Sequence, residues 1–141
     1  MKATILYYSH KGRTAGYARE MAMYLWSKGI SVSLSSISDF DQSKLKQTDF
    51  LLLGCWTCGW FILRQHPHSR WKEFTHTFSG TFPIDKILFF TTYKIRSGSM
   101  FDNMKRAMEI SISTPVTQLK SRTGRLTEND KSLLDRYIGI V

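Results

Sequence analysis

Two short, uninterrupted apolar runs place the strongest constraint on the fold of this chain. Residues 50–53 read Phe-Leu-Leu-Leu, and residues 87–90 read Ile-Leu-Phe-Phe. A strand without alternating polar residues is buried on both faces, which is typical of a parallel sheet with helices above and below it. We therefore expect these runs to form the central strands of an α/β domain.

Segments with the patterns of strands and helices alternate around these two runs. Gly29 stands where helices favour a terminal glycine, and Thr127, followed by acidic residues, has the features of an N-cap. This alternation predicts a parallel α/β sheet in one domain over residues 1–141. The other strand-like segments are residues 3–8, 30–34 and 116–119; the helix-like segments are 14–28, 69 or 70 to 78, 100–108 and the stretch after Thr127, with a helical turn at 41–47.

Ligands of an open parallel sheet bind beyond the carboxyl ends of its strands, which here means the loops after Tyr8, Leu53 and Phe90. The first loop joins a strand to a helix N-terminus, where free amides and the helix dipole favour an anion such as phosphate. Its sequence lacks the spacing of a Walker loop and of a dinucleotide fingerprint. An ordinary strand-to-helix turn remains the alternative for this loop taken alone.

The first loop resembles the signature that opens flavodoxins, an apolar strand followed by [ST]-x-[ST]-G-x-T. Lys11 stands where a hydroxyl is usual, which would exchange a neutral hydrogen bond for a cation. The resemblance implies a three-layer flavodoxin-like sandwich with a five-stranded parallel sheet in the order 2-1-3-4-5 and helices on both faces. It also implies that the phosphate of flavin mononucleotide (FMN) lies at Ser9, His10, Lys11, Gly12, Arg13 and Thr14.

The second loop, which we expect to be a long loop over residues 54–68, is also similar to flavodoxins. Alignment on Gly-Cys and on the following glycine implies that Cys58 is the inner flavin-packing side chain. It also implies that the Gly59–Trp60 peptide meets flavin N5 and turns over as the flavin gains a proton. Since a thiol is small, Trp56 or Trp60 is expected to supply the stacking surface, unless these aromatics serve a protein contact. The flavin-binding residues expected here are Trp56, Thr57, Cys58, Gly59 and Trp60.

The third loop occupies the position of the outer flavin contact in flavodoxins. The resemblance implies that Tyr93 stacks on the flavin and that Thr91, Thr92, Tyr93 and Lys94 meet its pyrimidine edge. The alternative is that Tyr93 only covers the end of the sheet.

Charge distinguishes this sequence from the family that it resembles. With 20 Lys and Arg against 11 Asp and Glu, the net charge is +9, which favours anionic ligands or partners. Flavodoxins place an acid in the second loop directly after the glycine, whereas this chain has Trp60 there and then Arg64, His66 and His68 in the same loop. Because fewer negative charges lie near the flavin, we expect its reduced, anionic form to be destabilised less than in flavodoxins. We therefore expect a higher reduction potential of the flavin.

The two cysteines, Cys55 and Cys58, form a C-x-x-C motif. A redox dithiol, half of a zinc site completed by His66 and His68, and two free thiols are the available interpretations. Because Cys55 is expected at a strand end pointing into the core, free thiols are favoured, and the two histidines are expected on the loop surface. No catalytic or metal-binding residue is predicted.

Three functions compete. The first is FMN-dependent electron transfer with redox partner proteins that have acidic docking faces. The second is a small FMN reductase or oxidase acting on a quinone or porphyrinogen-type substrate. The third is a non-redox binding module, for nucleic acid among other ligands; the scattered distribution of Lys and Arg counts against it. Without a signal pattern or a run long enough to span a bilayer, a cytoplasmic protein is expected.

Overall fold

The computed structural model describes residues 1–60, 63–77 and 80–139, without the side chains of residues 59, 60, 63 and 64. A parallel sheet of five strands forms its centre, and four α-helices pack against it. The strands are β1 (Lys2–Tyr8), β2 (Ser31–Ser36), β3 (Phe50–Trp56), β4 (Cys58–Trp60), β5 (Leu63–His66), β6 (Ile87–Thr92) and β7 (Thr117–Ser121). The helices are α1 (Arg13–Ser27), α2 (Ser69–His76), α3 (Met100–Ala107) and α4 (Glu128–Ile138), with 3-10 turns at Gln42–Gln47 and Ile84–Lys86.

The main sheet has the order β2-β1-β3-β6-β7, and all its neighbouring strands run parallel. Counting only these five strands, this is the predicted order 2-1-3-4-5. The register aligns Tyr8 with Cys55 and Cys55 with Thr91, so β1, β3 and β6 reach the same level at their carboxyl ends. The loops that follow these three strands therefore meet at one edge of the sheet.

Each face of the sheet is covered by its own apolar layer, as predicted. Leu52 and Phe90 pack with Tyr17 and Leu134 of α1 and α4 on one face. On the other face, the neighbouring strand residues pack with Trp71 of α2 and with methionines of α3. The central runs at 50–53 and 87–90 are fully apolar because both of their faces are buried.

The segment after β3 is not the long loop that the sequence suggested. β3 continues to Trp56, and β4 and β5 form an antiparallel hairpin in which Cys58 lies opposite His66. The alternation of glycine, aromatic and polar residues concealed two short strands that pair only with each other.

The helix ends follow the predicted signals. Gly29 adopts φ +83°, and the amides of Gly29 and Ile30 close the end of α1 on the carbonyls of Trp26 and Leu25. Thr127 and Asp130 form a reciprocal capping box at the start of α4. α2 ends at His76, and Phe78, which the sequence placed in this helix, lies outside the described residues. None of the described helices is long and apolar enough to cross a bilayer.

Candidate functional site

A cleft of about 430 Å³ opens at the carboxyl edge of the sheet, where the three loops meet. Its volume is in the range of sites that hold small-molecule ligands and cofactors. Most of the residues predicted to bind FMN form its walls, although they come from three separate parts of the sequence. The lining residues are His10, Lys11, Arg13, Thr14, Trp56, Thr57, Cys58, Gln65, Thr92, Tyr93, Lys94, Ile95 and Arg96.

The first loop presents a helix N-terminus to this cleft. Gly12 caps α1 with φ +85°, and no side chain caps the helix. Ser9 Oγ accepts hydrogen bonds from the amides of Gly12 at 3.1 Å and Ala15 at 3.3 Å, which holds the turn together. Within the described residues, the amides of Arg13 and Thr14 have no acceptor. Free amides beside the positive end of a helix dipole make this turn suited to an anion.

Two threonine pairs join the three loops beneath the cleft. Thr14 Oγ1 and Thr92 Oγ1 lie 2.6 Å apart, although 78 residues separate them in sequence. Thr57 Oγ1 lies 2.7 Å from Thr91 Oγ1, which also donates to the carbonyl of Cys55. Thr91 is fully buried and does not line the cleft, so its hydroxyl supports the site from below.

An aromatic cluster forms the wall next to the first loop. The rings of His10 and Trp56 stack with centroids 4.9 Å apart, and His68 contacts both Trp56 and Tyr8. The indole Nε1 of Trp56 is buried and has no hydrogen-bond partner among the described residues. Trp56 therefore lines the cleft with one ring face already engaged by His10.

The sequence placed His66 and His68 on a loop surface; His68 does lie in the loop before α2, whereas His66 lies in β5. His68 is half-buried, its Nδ1 accepts the amide of Arg70, and it thereby caps α2. His66 is also half-buried at the end of β5, where its Nδ1 lies 2.9 Å from the carbonyl of Pro67. In the described part of the chain, no three His, Cys, Asp or Glu side chains form a group that could hold a metal ion.

The third loop forms the opposite wall and is tied to β7. Tyr93 is half-buried, and its amide donates to the carbonyl of Ser121 at 3.2 Å. Arg122 Nε donates to the carbonyl of Lys94 at 2.9 Å. Sequence reasoning missed Ile95 and Arg96, although they follow directly on the residues that it selected.

Gln65 is a further lining residue that was missed. It reaches the cleft because the β4–β5 hairpin folds back, and an isolated glutamine in a presumed loop carried no signal of this. The predicted residues Gly59 and Trp60 lie in β4, but the position of the Trp60 side chain is outside the described structure, as is that of Arg64. Ser9 and Gly12 shape the first loop without lining the cleft.

The charge lining the cleft has one sign. Lys11, Arg13, Lys94 and Arg96 are exposed along its walls, and no carboxylate is among the lining residues. The ion pairs in the described part of the chain, His76–Glu109 and Lys131–Glu128, involve none of these cations. The cleft is therefore positively charged and attracts anions.

Both cysteines are free thiols and are buried. Cys55 is fully buried in the core, as expected, and its Sγ accepts the amide of His68 at 3.3 Å. Burial raises the pKa of the Cys55 thiol well above its ordinary value. Burial also raises the pKa of Cys58 to about 11, with a small opposing effect of Lys72. A thiol of a redox dithiol needs a lowered pKa, so this environment does not favour such chemistry.

Solved structures of known proteins share this fold. A flavodoxin of Megasphaera elsdenii in its two-electron reduced state superimposes with a TM-score of 0.77 and 21% identity, covering 97% of this chain and 98% of its own. An archaeal flavodoxin gives a TM-score of 0.68 with 22% identity, covering 99% and 96%. The rubredoxin oxygen:oxidoreductase of Desulfovibrio gigas gives 0.70 with 18% identity over 99% of this chain and 35% of that one. The chain has the flavodoxin fold, which confirms the predicted architecture.

Comparisons of the sequence with known proteins give fewer matches than the comparison of structures. No protein-family model matches the chain. A stretch of 70 residues, half of the chain, is 30% identical to the mitochondrial NADP(+) pyruvate dehydrogenase of Euglena gracilis. The match spans only 4% of that protein's length. The chemistry of the cleft therefore has to be argued from its own residues.

Proposed function

We propose that this chain is an FMN-binding electron carrier, a single flavodoxin-like domain over residues 1–141. The observation that carries the proposal is the convergence of three loops, each chosen from sequence as a flavin contact, on one cationic cleft. Bound FMN would supply the one- and two-electron chemistry. Free thiols at Cys55 and Cys58 suit a reducing compartment, and we take the cytoplasm as the setting.

The residues of the cleft fit FMN in size, charge and hydrogen bonding. The free amides of Arg13 and Thr14 would bind phosphate oxygens, and the side chains of Lys11 and Arg13 would neutralise the dianion. The buried, unpartnered indole N–H of Trp56 leaves a donor that a ligand atom or water would satisfy. A cleft with these features favours a flat, phosphate-bearing ligand.

The other walls would hold the flat part of the cofactor. Tyr93 and Trp56 offer aromatic surface, and Cys58 offers a small apolar side chain in the same cleft. Thr92 and Thr57 are held by their hydroxyl pairs, so the backbone near the ring would be fixed before binding. Preorganisation of this kind improves affinity because less freedom is lost on binding.

Two observations favour a carrier over an enzyme with its own substrate. The lining residues include no carboxylate, and the one thiol among them has a raised pKa, so that His10, Tyr93 and the lysines are the remaining side chains of the general acid–base type. His10 is stacked on Trp56. The exposed Lys11, Lys94 and Arg96 form a basic rim that would guide redox partner proteins with acidic faces.

The first experiment is an FMN titration followed by quenching of flavin fluorescence. The wild-type protein is expected to retain FMN through gel filtration. Arg13→Gln should weaken binding about tenfold, because a charge-assisted contact to phosphate is lost. Arg19→Gln, an exposed residue on the same helix, is the matched control and should bind FMN as the wild type does. A protein that retains no FMN, or equal loss in both variants, would contradict the proposal.

A small FMN reductase or oxidase is the second candidate. It is favoured by a further cleft that shares a wall with the first, since an enzyme needs space for a substrate beside its cofactor. An NAD(P)H oxidation assay with quinones separates the two: rapid turnover indicates a reductase, whereas its absence with retained FMN indicates a carrier.

A further inference from the structure

A second cleft, of about 350 Å³, adjoins the third loop. It shares Tyr93, Ile95 and Arg96 with the first cleft. Its remaining lining residues are Ser97, Gly98 and Lys120, so it lies between the start of α3 and strand β7. Three residues of the segment 93–96 therefore form a wall that the two clefts share.

The polar groups of this second cleft are held in place. Ser97 is 6% exposed, and Lys120 Nζ donates to its Oγ at 3.4 Å. The Ser97 carbonyl accepts the amide of Met100, which fixes the serine at the start of α3. The hydroxyl of Ser97 thus faces a lysine on a rigid strand.

The absence of a side chain at Gly98 leaves room for Arg96 beside the second cleft. Gly98 has φ +50°, and a Cβ at this position would overlap the Gln65 carboxamide and lie 3.3 Å from Arg96 Nε. The guanidinium of Arg96 therefore lies close against the backbone, where a residue with a side chain would displace it. Glycine is required here by two close neighbours as well as by its backbone conformation.

Arg96 and Lys120 have no carboxylate partner in the described residues, and no Asp or Glu lines the second cleft. Two cations that line one cleft without a counterion repel each other. An anion placed between them would remove this repulsion and accept hydrogen bonds from both.

We propose that the second cleft binds the phosphate group of a small phosphate ester. Arg96 provides a planar fork of donors, Lys120 provides a compact charge, and the Ser97 hydroxyl donates a third hydrogen bond. The charge of two cations is balanced better by a phosphate dianion than by the single charge of a carboxylate. The rest of the ester would lie along the wall 93–96, beside the first cleft. A role for this ligand in electron transfer would depend on the proposed FMN function, whereas the binding of phosphate to the second cleft does not.

The test is a titration with inorganic phosphate, followed by the amide ¹⁵N–¹H spectrum of the full chain with and without saturating FMN. Sodium chloride at equal ionic strength is the blank. The amides of Ser97, Gly98 and Lys120 are expected to shift saturably. Arg96→Gln and Lys120→Gln should each weaken binding about tenfold, since each removes a charge-assisted hydrogen bond. Lys46→Gln, an exposed lysine at the opposite edge of the sheet, should leave binding unchanged.

In each variant, the amide signals of residues away from the cleft show whether the protein is folded. Absence of saturable shifts at residues 97, 98 and 120, equal shifts with chloride, or unchanged binding in both cleft variants would overturn the proposal. Acetate is expected to bind at least about tenfold more weakly than phosphate, because it carries half the charge. Equal binding of acetate would overturn the assignment to phosphate. The flavin absorption of the same samples shows separately whether FMN is bound. The proposal of phosphate binding and the proposal of FMN binding can therefore be contradicted independently of each other.

Discussion

The hydroxyls of Thr14 and Thr92 lie 2.6 Å apart and join the start of α1 to the end of β6. Thr14 belongs to the loop with the anion-binding features, and Thr92 to the strand that leads into the opposite wall of the cleft. Both side chains are almost fully buried at the base of the cleft. Its hydrogen bond fixes the distance between the two walls before any ligand binds.

We expect the Thr14–Thr92 pair to contribute to both stability and FMN affinity. In a double-mutant cycle with Thr14→Val and Thr92→Val, urea unfolding should give a coupling energy of about 1 kcal/mol. Thr4 and Thr48 form an equally short pair at the opposite edge of the sheet and provide the control cycle. That cycle should show a similar coupling with no change in FMN affinity. An unchanged FMN affinity in the Thr14 and Thr92 variants would contradict the role in the cleft.

Gly54 should be the glycine whose replacement destabilises the sheet most directly. A Cβ at Gly54 would overlap the buried ring of Phe90, whereas one at Gly16 in α1 meets nothing within 4 Å. Gly54→Ala is expected to lower the free energy of unfolding by about 2–3 kcal/mol through overpacking. Gly16→Ala should raise it by about 0.5–1 kcal/mol because alanine favours the helix. Chemical denaturation measures both, and a neutral Gly54→Ala variant would refute the packing argument.

Gly12 and Gly29 offer a matched test of the anion-binding loop. Both have φ near +85° with open space around the Cα, but only Gly12 adjoins the cleft. Replacement by alanine should cost each about 1 kcal/mol of stability, because alanine is strained in this region. FMN affinity should fall only in Gly12→Ala, as measured by fluorescence titration. Equal FMN affinity in the two variants would show that the first loop does not contribute to FMN binding.

The positive cleft predicts an elevated flavin potential. With Lys11, Arg13, Lys94 and Arg96 along the walls and no lining carboxylate, the reduced anionic flavin should be stabilised. Lys11→Gln and Lys94→Gln are each expected to lower the one-electron potential of the step that forms the reduced, anionic flavin by about 20–40 mV, which corresponds to about 0.5–0.9 kcal/mol. Redox titration against reference dyes measures the shift, with Lys46→Gln as the remote control. A potential as low as that of acidic flavodoxins would exclude this electrostatic effect.

The Cys58 thiol should resist alkylation at neutral pH. Burial raises its pKa to about 11 from a reference value of 9.0, so the folded state keeps the proton longer than the unfolded state. Its contribution to stability is complete below pH 9 and is lost as the pH rises from 9 to 11. In a Cys55→Ala background, the rate of reaction with iodoacetamide should rise with a midpoint near pH 11. A midpoint below 9 would restore the redox interpretation of the C-x-x-C motif.

The sequence by itself determined the elements that depend on local chemistry and on burial. The apolar runs at 50–53 and 87–90 required a sheet covered on both faces, and Gly29 and Thr127 marked helix ends through backbone and capping preferences. The order of loops along a parallel sheet then predicted where a ligand would bind. These inferences needed no knowledge of contacts between distant residues.

Tertiary structure alone decided which side chains meet at the cleft. The β4–β5 hairpin brings in Gln65, and His68 contacts Trp56 and Tyr8. A short, isolated strand pair has no strong local signal in the sequence. The Thr14–Thr92 hydrogen bond and the second cleft between Arg96 and Lys120 join residues far apart in sequence. Such proximity follows from strand register and packing, which depend on the whole folded chain and cannot be read from any one segment.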